Sequence, residues 1–275
     1  MAKTWFITGA SSGLGREMTE QLLARGERVA ATVRRADALA DLQRQHPESL
    51  CVVALDLTDT AGIRAAVGVA FGRWGRVDVV VSNAAYGLVG AAEELSDAQI
   101  ERQIATNLTG TIQFLRAVLP ALRAQGGGRI VQVSSEGGQT TYPAFSLYHA
   151  TKWGIEGFVE TVAKEVAPFG IDFLIAEPGP TATNFGAGID LAPPLAAYAQ
   201  TPAGAVRRAV EERSFAVYGD AGRTAGAILA AAESARPPFR LPLGSTAYEN
   251  LTRELAGRLA EIQGQRDVAF SADRP

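Results

Sequence analysis

Short apolar runs rich in β-branched residues alternate along the chain with longer segments in which apolar residues recur at helical spacing. Such runs are typical of strands buried on both faces, and the longer period is typical of helices with one apolar side. The runs are residues 4–8, 28–33, 50–55, 77–82, 129–134 and 171–176. Because strands and helices alternate, the pattern predicts an α/β fold in which a doubly wound parallel sheet has helices on both faces.

Four of the helical segments have a clear apolar stripe. Gly26 suits the left-handed cap that ends the first helix, and Ser96 suits the residue that caps the start of a later one. The stripes are Ile63, Val67 and Phe71; Leu108, Ile112, Leu115 and Leu119; Ile155, Val159, Val162 and Val166; and Leu251, Leu255, Leu259 and Ile262.

The pattern weakens between about residues 184 and 222, where proline, alanine and glycine are frequent. We interpret this segment as an insertion above the sheet that forms a substrate lid, because Gly186 and Gly188 would let it close. A plain surface loop is the alternative. Residues 1–264 then form one catalytic domain, and the polar segment 265–275 is predicted to be a frayed tail.

Composition and charge narrow the function classes. With 26 Lys and Arg against 29 Asp and Glu, the 275-residue chain has a net charge of −3 and lacks the positive excess of a nucleic-acid binder. The single cysteine, Cys51, cannot form an internal disulfide, and the two histidines lack metal-ligand spacing. No apolar run is long enough for a signal peptide or a membrane span. We expect a soluble cytoplasmic protein without a metal, nucleic-acid or membrane partner.

A glycine-rich turn joins the first strand to the first helix. Its sequence is Thr8-Gly9-Ala10-Ser11-Ser12-Gly13-Leu14-Gly15. Glycine permits positive φ and a close approach of the backbone to a ligand. Amide groups and the helix dipole behind such a turn can hold a pyrophosphate, so the turn predicts a dinucleotide site. A tight turn without a ligand is the alternative.

A second motif, Tyr148-His149-Ala150-Thr151-Lys152, lies far downstream. With T-G-x-x-x-G-x-G and Y-x-x-x-K, the sequence resembles the short-chain dehydrogenase/reductase family over residues 3–183. Ser82 and Ala85 depart from the family's asparagine and glycine. The resemblance implies a seven-stranded sheet whose last strand is 239–243. The further matches are Asp56-Leu57, Ser82-Asn83-Ala84-Ala85, Asn107-Leu108-Thr109-Gly110, Ser134-Ser135, Pro178-Gly179 and Thr183.

The resemblance also implies which residues contact the cofactor. Asp56 and Leu57 would contact adenine, Asn83 would have a structural role, and Lys152 would hold the nicotinamide ribose. The full set of expected cofactor residues from the motifs is Gly9, Ser11, Ser12, Gly13, Leu14, Gly15, Asp56, Leu57, Asn83, Tyr148, Lys152, Pro178, Gly179 and Thr183.

The residues after the second strand indicate which dinucleotide binds. An acidic residue there would accept hydrogen bonds from the ribose 2′-hydroxyl of NAD. The chain instead has Arg34 and Arg35, which can hold a 2′-phosphate through charge-assisted hydrogen bonds. We therefore expect NADP(H), with NAD as the alternative if Asp37 turns back to the ribose.

Tyr148 and Lys152 are the expected acid–base residues. Four positions apart on a helix, they share a face. A phenol with a pKa near 10 needs a neighbouring cation to act near neutrality, and Lys152 can supply it. Ser135, 13 residues before Tyr148, would hold the substrate carbonyl, with Ser134 as the alternative. By resemblance Asn107 would hold a proton-relaying water; a solvated or helix-bending asparagine is the alternative.

The expected activity is that of an NADP(H)-dependent carbonyl reductase or secondary-alcohol dehydrogenase. Apolar residues after the fourth, fifth and sixth strands predict a hydrophobic or aromatic substrate. The alternatives are a reductase of carrier-bound 3-oxoacyl groups and a non-catalytic dinucleotide sensor. The predicted pocket residues are Tyr86, Leu88, Tyr142, Phe145, Phe185, Leu191, Pro193, Pro194, Leu195 and Tyr198.

Three further expectations concern assembly and two side chains near the site. Apolar residues beyond Tyr148 on its helix, among them Trp153, Phe158, Val159 and Val166, predict a homodimer or homotetramer. His149 is expected to pack in the core or at an interface. Glu136 either lines the site or bonds the loop backbone, and the sequence leaves both readings open.

Overall fold

Eleven strands and ten α-helices are present in the computed structural model, which describes residues 2–274. The strands are β1 (Thr4–Ile7), β2 (Arg28–Val33), β3 (Leu50–Ala54), β4 (Val79–Ser82), β5 (Leu88–Val89), β6 (Gly128–Val133), β7 (Ile171–Pro178), β8 (Thr181–Ala182), β9 (Asp190–Leu191), β10 (Gly219–Asp220) and β11 (Arg240–Leu243). The helices are α1 (Gly13–Ala24), α2 (Ala40–Gln45), α3 (Thr60–Trp74), α4 (Asp97–Gln103), α5 (Thr111–Ala124), α6 (Ser146–Val166), α7 (Pro202–Glu211), α8 (Ala221–Glu233), α9 (Ser245–Gln263) and α10 (Arg266–Ser271).

Seven of the strands form one parallel sheet in the order β11-β7-β6-β4-β1-β2-β3. The chain builds outward from β1 to β3, crosses back to β4 beside β1, and builds outward in the other direction. Strand order therefore reverses between β1 and β4, and doubly wound sheets bind ligands at the carboxyl ends of strands at such a point. The predicted doubly wound, seven-stranded fold is confirmed.

The core consists of two apolar layers, one on each face of the sheet. Alternate side chains of a strand point to opposite faces, so Trp5 and Ile7 join the layer beneath α1 and α8, whereas Phe6 joins the layer beneath α3, α5 and α6. Strands buried on both faces account for the continuous apolar runs in the sequence.

The end of α1 and the start of α4 follow the predicted local signals. Gly26 has a φ of +77° directly after α1, as a left-handed cap requires. Ser96 caps α4 by accepting a hydrogen bond from the Gln99 amide at 3.3 Å. Between α4 and α5, residues Ile104–Gly110 form a π-helical segment that contains Asn107, a geometry often associated with functional sites.

The structure differs from the sequence expectations at the C-terminus. The predicted stripe on α9 is helical, but only Leu251 is buried, and Leu255, Leu259 and Ile262 are exposed. The segment expected to be frayed contains the short helix α10. The apolar surface that α6 has left for contact with a second subunit is also smaller than predicted, because Val159 and Val166 are core residues. Met1 and Pro275 lie outside the described residues.

Residues 184–222 are tied to the body of the molecule at several points. Strand β9 pairs with β5, and β10 pairs with β8. The Arg207 guanidinium on α7 donates to the buried Glu94 carboxylate at 2.9 Å. Most of the predicted lid is thus anchored. Within residues 2–274, no helix has the length and apolar character needed to cross a membrane.

Candidate active site

The glycine-rich turn lies at the carboxyl end of β1, next to the point where strand order reverses. Gly9 has a φ of +69°, and a Cβ there would lie 2.8 Å from the Ala84 Cα atom. A Cβ on Gly15 would lie 2.3 Å from the Gly9 carbonyl oxygen. Glycine is therefore required at both positions, because any side chain would push the turn away from the neighbouring backbone.

The first turn of α1 has the properties of a phosphate site. The Ser12 side chain stands at the N-cap but makes no capping hydrogen bond, and the first turn has no acidic residue. Its amide donors and the positive end of the helix dipole remain available to an anion. Ser11 and Ser12 are exposed, and Thr183 lies against Gly13. This arrangement fits the pyrophosphate of a dinucleotide, and Leu14 lies just behind it.

Asn83 holds the turn from the neighbouring strand. Its Nδ2 donates to the carbonyl oxygens of Thr8 at 2.9 Å and Gly9 at 3.2 Å. Its backbone amide donates to the Thr8 hydroxyl at 2.9 Å. These bonds are made within the protein, as expected for a structural residue, and they couple the end of β4 to the end of β1.

Arg34 and Arg35 follow β2 and are both exposed. Arg35 pairs loosely with Asp37 at 3.6 Å across two exposed side chains. Asp56 is exposed after β3, and hydrogen bonds from Thr58 lower its carboxyl pKa, with a smaller contribution from the Arg34 charge. Leu57 differs from its neighbour Asp56 because its side chain is buried in the core.

The structure places Ser135, rather than Ser134, against Tyr148. Ser135 accepts a hydrogen bond from the Gly137 amide at 3.1 Å and donates to the Pro178 carbonyl at 3.5 Å. Its hydroxyl also faces the Tyr148 phenol and lowers the pKa of that group. Ser134 is buried and donates to the Glu156 carboxylate at 2.5 Å. Since β6 and β7 are parallel neighbours, Ser135 and Pro178-Gly179 meet at one edge of the sheet.

Lys152 and Asn107 lie behind Tyr148. The Lys152 Nζ atom is 5.7 Å from the centroid of the Tyr148 ring and donates to the Val133 carbonyl at 3.1 Å. The buried Asn107 amide donates to the Tyr86 carbonyl at 2.8 Å and accepts from the Tyr86 amide at 3.1 Å. Asn107 is therefore bonded to the loop after β4 rather than solvated.

Comparisons with known proteins identify the family of this chain. The family described as short chain dehydrogenase matches residues 3–192. The chain belongs to the short-chain dehydrogenase family. These enzymes are oxidoreductases that use a nicotinamide cofactor.

Relatives of this short-chain dehydrogenase cover nearly its whole length. A short-chain dehydrogenase of known structure from Streptomyces avermitilis is 39% identical, with a TM-score of 0.91 over 99% of this chain and 98% of that one. Oxidoreductase BOA17 from Botryotinia fuckeliana is 35% identical over 97% of this chain and 96% of its own. An alcohol dehydrogenase from Thermococcus sibiricus, complexed with 5-hydroxy-NADP, is 25% identical, with a TM-score of 0.72 over 88% of this chain and 96% of that one.

Burial dominates the electrostatics of the tyrosine and lysine of this dehydrogenase. Burial raises the pKa of Tyr148 to about 12; the hydrogen bond from Ser135 opposes this and the Glu136 charge adds to it. Burial lowers the pKa of Lys152 to about 8, and the Glu156 charge opposes that shift. Burial is the largest influence on the Tyr148 pKa in this structure, and stabilisation of the phenolate by Lys152 stays a prediction.

Two aromatic rings flank the Tyr148 phenol. The Phe145 ring centroid is 6.1 Å from that of Tyr148, and the Phe185 centroid is 6.0 Å away, both at edge-to-face angles. Two other predicted pocket residues make their contacts elsewhere. Leu88 is buried in strand β5, which pairs with β9. The Tyr142 hydroxyl accepts a hydrogen bond from Asn250.

His149 is packed inside the protein, which is one of the two positions expected from the sequence. Burial lowers its pKa to about 4, so the ring is neutral at physiological pH. Its Nδ1 accepts a hydrogen bond from the Tyr142 amide at 3.3 Å, and its ring stacks on Phe145 at 5.9 Å between centroids. His149 therefore helps to position the Phe145 ring beside Tyr148 rather than transferring protons.

A buried ionic network that no sequence motif predicted lies behind Lys152. Arg240 donates to Glu156 and to Glu177, the latter at 2.8 Å, and Gln139 donates to Glu177 at 2.7 Å. Burial and the Glu156 charge raise the pKa of Glu177 above its ordinary value. No local motif predicts this network, since its members come from four separate elements.

The described residues include no group of acidic, histidine or cysteine side chains suited to a metal ion.

Proposed function

We propose that this short-chain dehydrogenase is an NADP(H)-dependent carbonyl reductase or secondary-alcohol dehydrogenase that acts on hydrophobic or aromatic substrates. The observation that carries the proposal is the position of the Tyr148 phenol. The phenol lies beside the Ser135 hydroxyl, and the centroid of its ring is 5.7 Å from the Lys152 Nζ atom. The rings of Phe145 and Phe185 flank it.

Each catalytic side chain has a distinct task in this proposal. Ser135 donates a hydrogen bond to the substrate carbonyl oxygen and orients it, and the Tyr148 Oη atom donates the proton to that oxygen. Lys152 stabilises the phenolate that remains and, with Asn107, returns the proton. When bound, the nicotinamide supplies the hydride in reduction and accepts it in oxidation. The first turn of α1 would hold the pyrophosphate, with Thr183 against it.

The preference for NADP(H) is supported by charge at the end of β2. Arg34 and Arg35 are exposed side by side, and no carboxylate stands at the first positions after Val33, where an acidic residue would bind the ribose of NAD. The Asp37 carboxylate lies 3.6 Å from Arg35. A guanidinium binds a phosphate with charge-assisted and often bidentate hydrogen bonds.

The substrate proposal predicts a result in a panel of carbonyl compounds. We expect aryl ketones and bulky aliphatic ketones to have the highest kcat/KM with NADPH. Binding them against the rings of Phe145 and Phe185 buries apolar surface, which is favourable. Polyols and sugar phosphates should be poor substrates. Initial rates with NADPH, NADH and their oxidised forms measure this. A clear preference for sugar phosphates, or for carrier-bound 3-oxoacyl groups, would contradict it.

A matched pair of variants separates the pocket from general effects on folding. Phe185→Ala removes a ring that contacts Tyr148, whereas Phe169→Ala removes a ring that is similarly exposed but lies beyond the far end of α6. The first substitution should lower kcat/KM for aryl ketones about 10-fold or more, given the energy of one aromatic contact and its buried area. The second should leave it unchanged.

We also propose that the enzyme is a homodimer or homotetramer with closed symmetry. The support is the exposed apolar stripe of Leu255, Leu259 and Ile262 on α9, together with the exposed Trp153 on α6. Large apolar side chains grouped on one surface usually mark an association site. Light scattering at micromolar concentration should give a mass of two or four chains, and a monomer mass would refute the proposal.

A further inference from the structure

Helix α9 reaches the loop that follows the catalytic serine. The family model matches residues 3–192, so α9 lies outside the matched part of the chain. From its second turn, Asn250 donates through Nδ2 to the Tyr142 hydroxyl at 2.7 Å and to the Glu136 carboxylate at 3.0 Å. Both acceptors lie between β6 and α6. A helix more than 100 residues downstream therefore holds this loop by one side chain.

The Asn250 amide has one available orientation. An amide nitrogen carries two N–H groups, and the Tyr142 hydroxyl and the Glu136 carboxylate take one each. The Oδ1 atom accepts a hydrogen bond from the Arg253 guanidinium at 2.8 Å, and a guanidinium can only donate. Turned over, the amide would present its oxygen to Glu136, which is only 2% exposed and can only accept.

Other contacts fix α9 against the same loop. The Arg258 guanidinium donates to the Gln139 carbonyl at 2.6 Å and lies 4.4 Å from the centroid of the Trp153 ring on α6. Ala247 and Leu251, on α9 itself, are buried. The helix that presents Asn250 to the loop is therefore anchored both before and after that residue.

Four rings in succession lead from Asn250 to the site. The centroids are 5.6 Å apart between Tyr142 and His149, 5.9 Å between His149 and Phe145, and 6.1 Å between Phe145 and Tyr148. We call these four residues the aromatic row. The Tyr142 amide also donates to the His149 Nδ1 atom at 3.3 Å. Because close-packed side chains have little room to move singly, a shift of Tyr142 moves the rings that follow it.

The loop backbone confines the His149 ring. A Cβ at Gly137 would lie 2.7 Å from the His149 Cδ2 atom, so the ring lies directly against this backbone. On another side the ring stacks on Phe145 at an interplanar angle of 26°. The position of His149 is therefore set by the loop to which Asn250 is bonded, and that of the Phe145 ring by His149.

We propose that Asn250 is a positioning residue for substrate choice: through the Tyr142 hydroxyl it keeps the aromatic row ordered, and the ordered Phe145 ring favours aromatic carbonyl substrates. A ring that is ordered in advance loses less conformational entropy when a substrate packs on it. An aryl ketone contacts this ring, whereas a short aliphatic ketone does not extend to it. The kinetic consequence rests on the proposed function, but the order of the aromatic row is a property of the free enzyme.

The ratio of kcat/KM for acetophenone to kcat/KM for butanone, both with NADPH, measures this role. In Asn250→Ala the ratio should fall about three- to tenfold, the loss expected for one aromatic contact. The substitution also leaves the buried Glu136 without its donor, which lowers stability. Such a loss does not change the ratio, because both substrates are measured on the same folded enzyme. An unchanged ratio would overturn the proposal.

Tyr142→Phe identifies the route. It keeps the ring and the bond between Asn250 and Glu136, and it removes the hydroxyl that Asn250 holds. The ratio should fall by a similar factor, and adding Asn250→Ala should lower it no further, because residues that act through one bond give non-additive effects. The matched controls on α9 are Tyr248→Phe and Gln263→Ala, both at exposed positions, and both should keep the wild-type ratio. A fully additive loss in the double variant would show that Asn250 does not act through Tyr142.

Histidine NMR of the free enzyme reports the order of the aromatic row without turnover. The chain has two histidines, His46 and His149, so nitrogen-15 labelling of histidine gives two sets of signals, and His46→Gln identifies them. Because the Tyr142 amide donates to Nδ1 and the ring is neutral at physiological pH, His149 should carry its proton on Nε2 in the wild type. In Asn250→Ala and Tyr142→Phe, the Nδ1 signal should move toward that of a mixture of tautomers. An unchanged signal in both variants would overturn the proposal.

The two readouts distinguish a failure of this positioning role from a failure of the proposed function. If the wild type reduces no carbonyl compound with NADPH or NADH, the proposed function fails, while the histidine signals still decide whether Asn250 orders the aromatic row. If the wild type reduces ketones but neither the ratio nor the signals respond to Asn250→Ala, the proposed function stands and the positioning role is wrong.

Discussion

Replacing Tyr148 with phenylalanine is expected to abolish nearly all turnover while nucleotide binding survives. The ring remains, so its contacts with Phe145 and Phe185 are kept, but the proton donor is lost. General acid–base catalysis contributes about 100- to 10,000-fold to the rate, so kcat should fall by at least about 100-fold. Steady-state kinetics on an aryl ketone measure kcat, and quenching of protein fluorescence by NADPH measures binding.

Tyr248→Phe is the matched control for that substitution. It makes the same chemical change on α9, where the side chain is 66% exposed, and it should leave kcat and the KM values at wild-type levels. Near-normal turnover in Tyr148→Phe would show that another group supplies the proton, and the acid–base assignment would then be wrong. Loss of NADPH binding in the same variant would show a structural defect instead.

The double substitution of Arg34 and Arg35 by alanine is expected to remove the preference for NADPH. Each hydrogen bond from a guanidinium to a phosphate contributes about 1.5–3 kcal/mol, and solvent screening reduces the total for exposed side chains. The KM for NADPH should therefore rise about 10- to 1,000-fold. The KM for NADH should hardly change, because NADH has no 2′-phosphate. Initial rates with both cofactors at a fixed ketone concentration measure this.

A control with the same loss of charge distinguishes local binding from general attraction. Arg64 and Arg116 are both exposed, on α3 and α5, and replacing both with alanine removes two positive charges elsewhere. That variant should retain its KM for NADPH within about twofold in buffer of physiological ionic strength, where screening shortens the range of surface charges. Equal losses with NADPH and NADH in the Arg34 and Arg35 variant would defeat the assignment.

Local patterns account for the elements that were predicted correctly. Strands buried on both faces require continuous apolar runs, and a glycine at φ +77° ends α1 because other residues adopt that conformation at a cost. The same reasoning failed for α9, whose stripe is helical but mostly exposed. Periodicity indicates which side of a helix is apolar, but not whether a partner covers it.

The functional residues divide in the same way. Tyr148 and Lys152 are recognisable because one helical turn places them together. Ser135 and Ser134 are adjacent, and only the packing of α6 shows that Ser134 is engaged by Glu156 while Ser135 faces Tyr148. The choice depends on which side of the strand end each hydroxyl occupies, and that is set by tertiary contacts.

By itself the sequence determined the doubly wound fold, the glycine turn and the tyrosine–lysine pair, because each depends on residues within one strand, one turn or one helix. Tertiary structure alone decided the partners of the buried charges. Glu136 meets Asn250 across 114 positions, and Arg240 meets Glu156 across 84. Side chains so distant along the chain have no spacing rule, since their meeting depends on how the sheet and helices pack. The anchoring of residues 184–222 by Glu94 and Arg207 has the same origin.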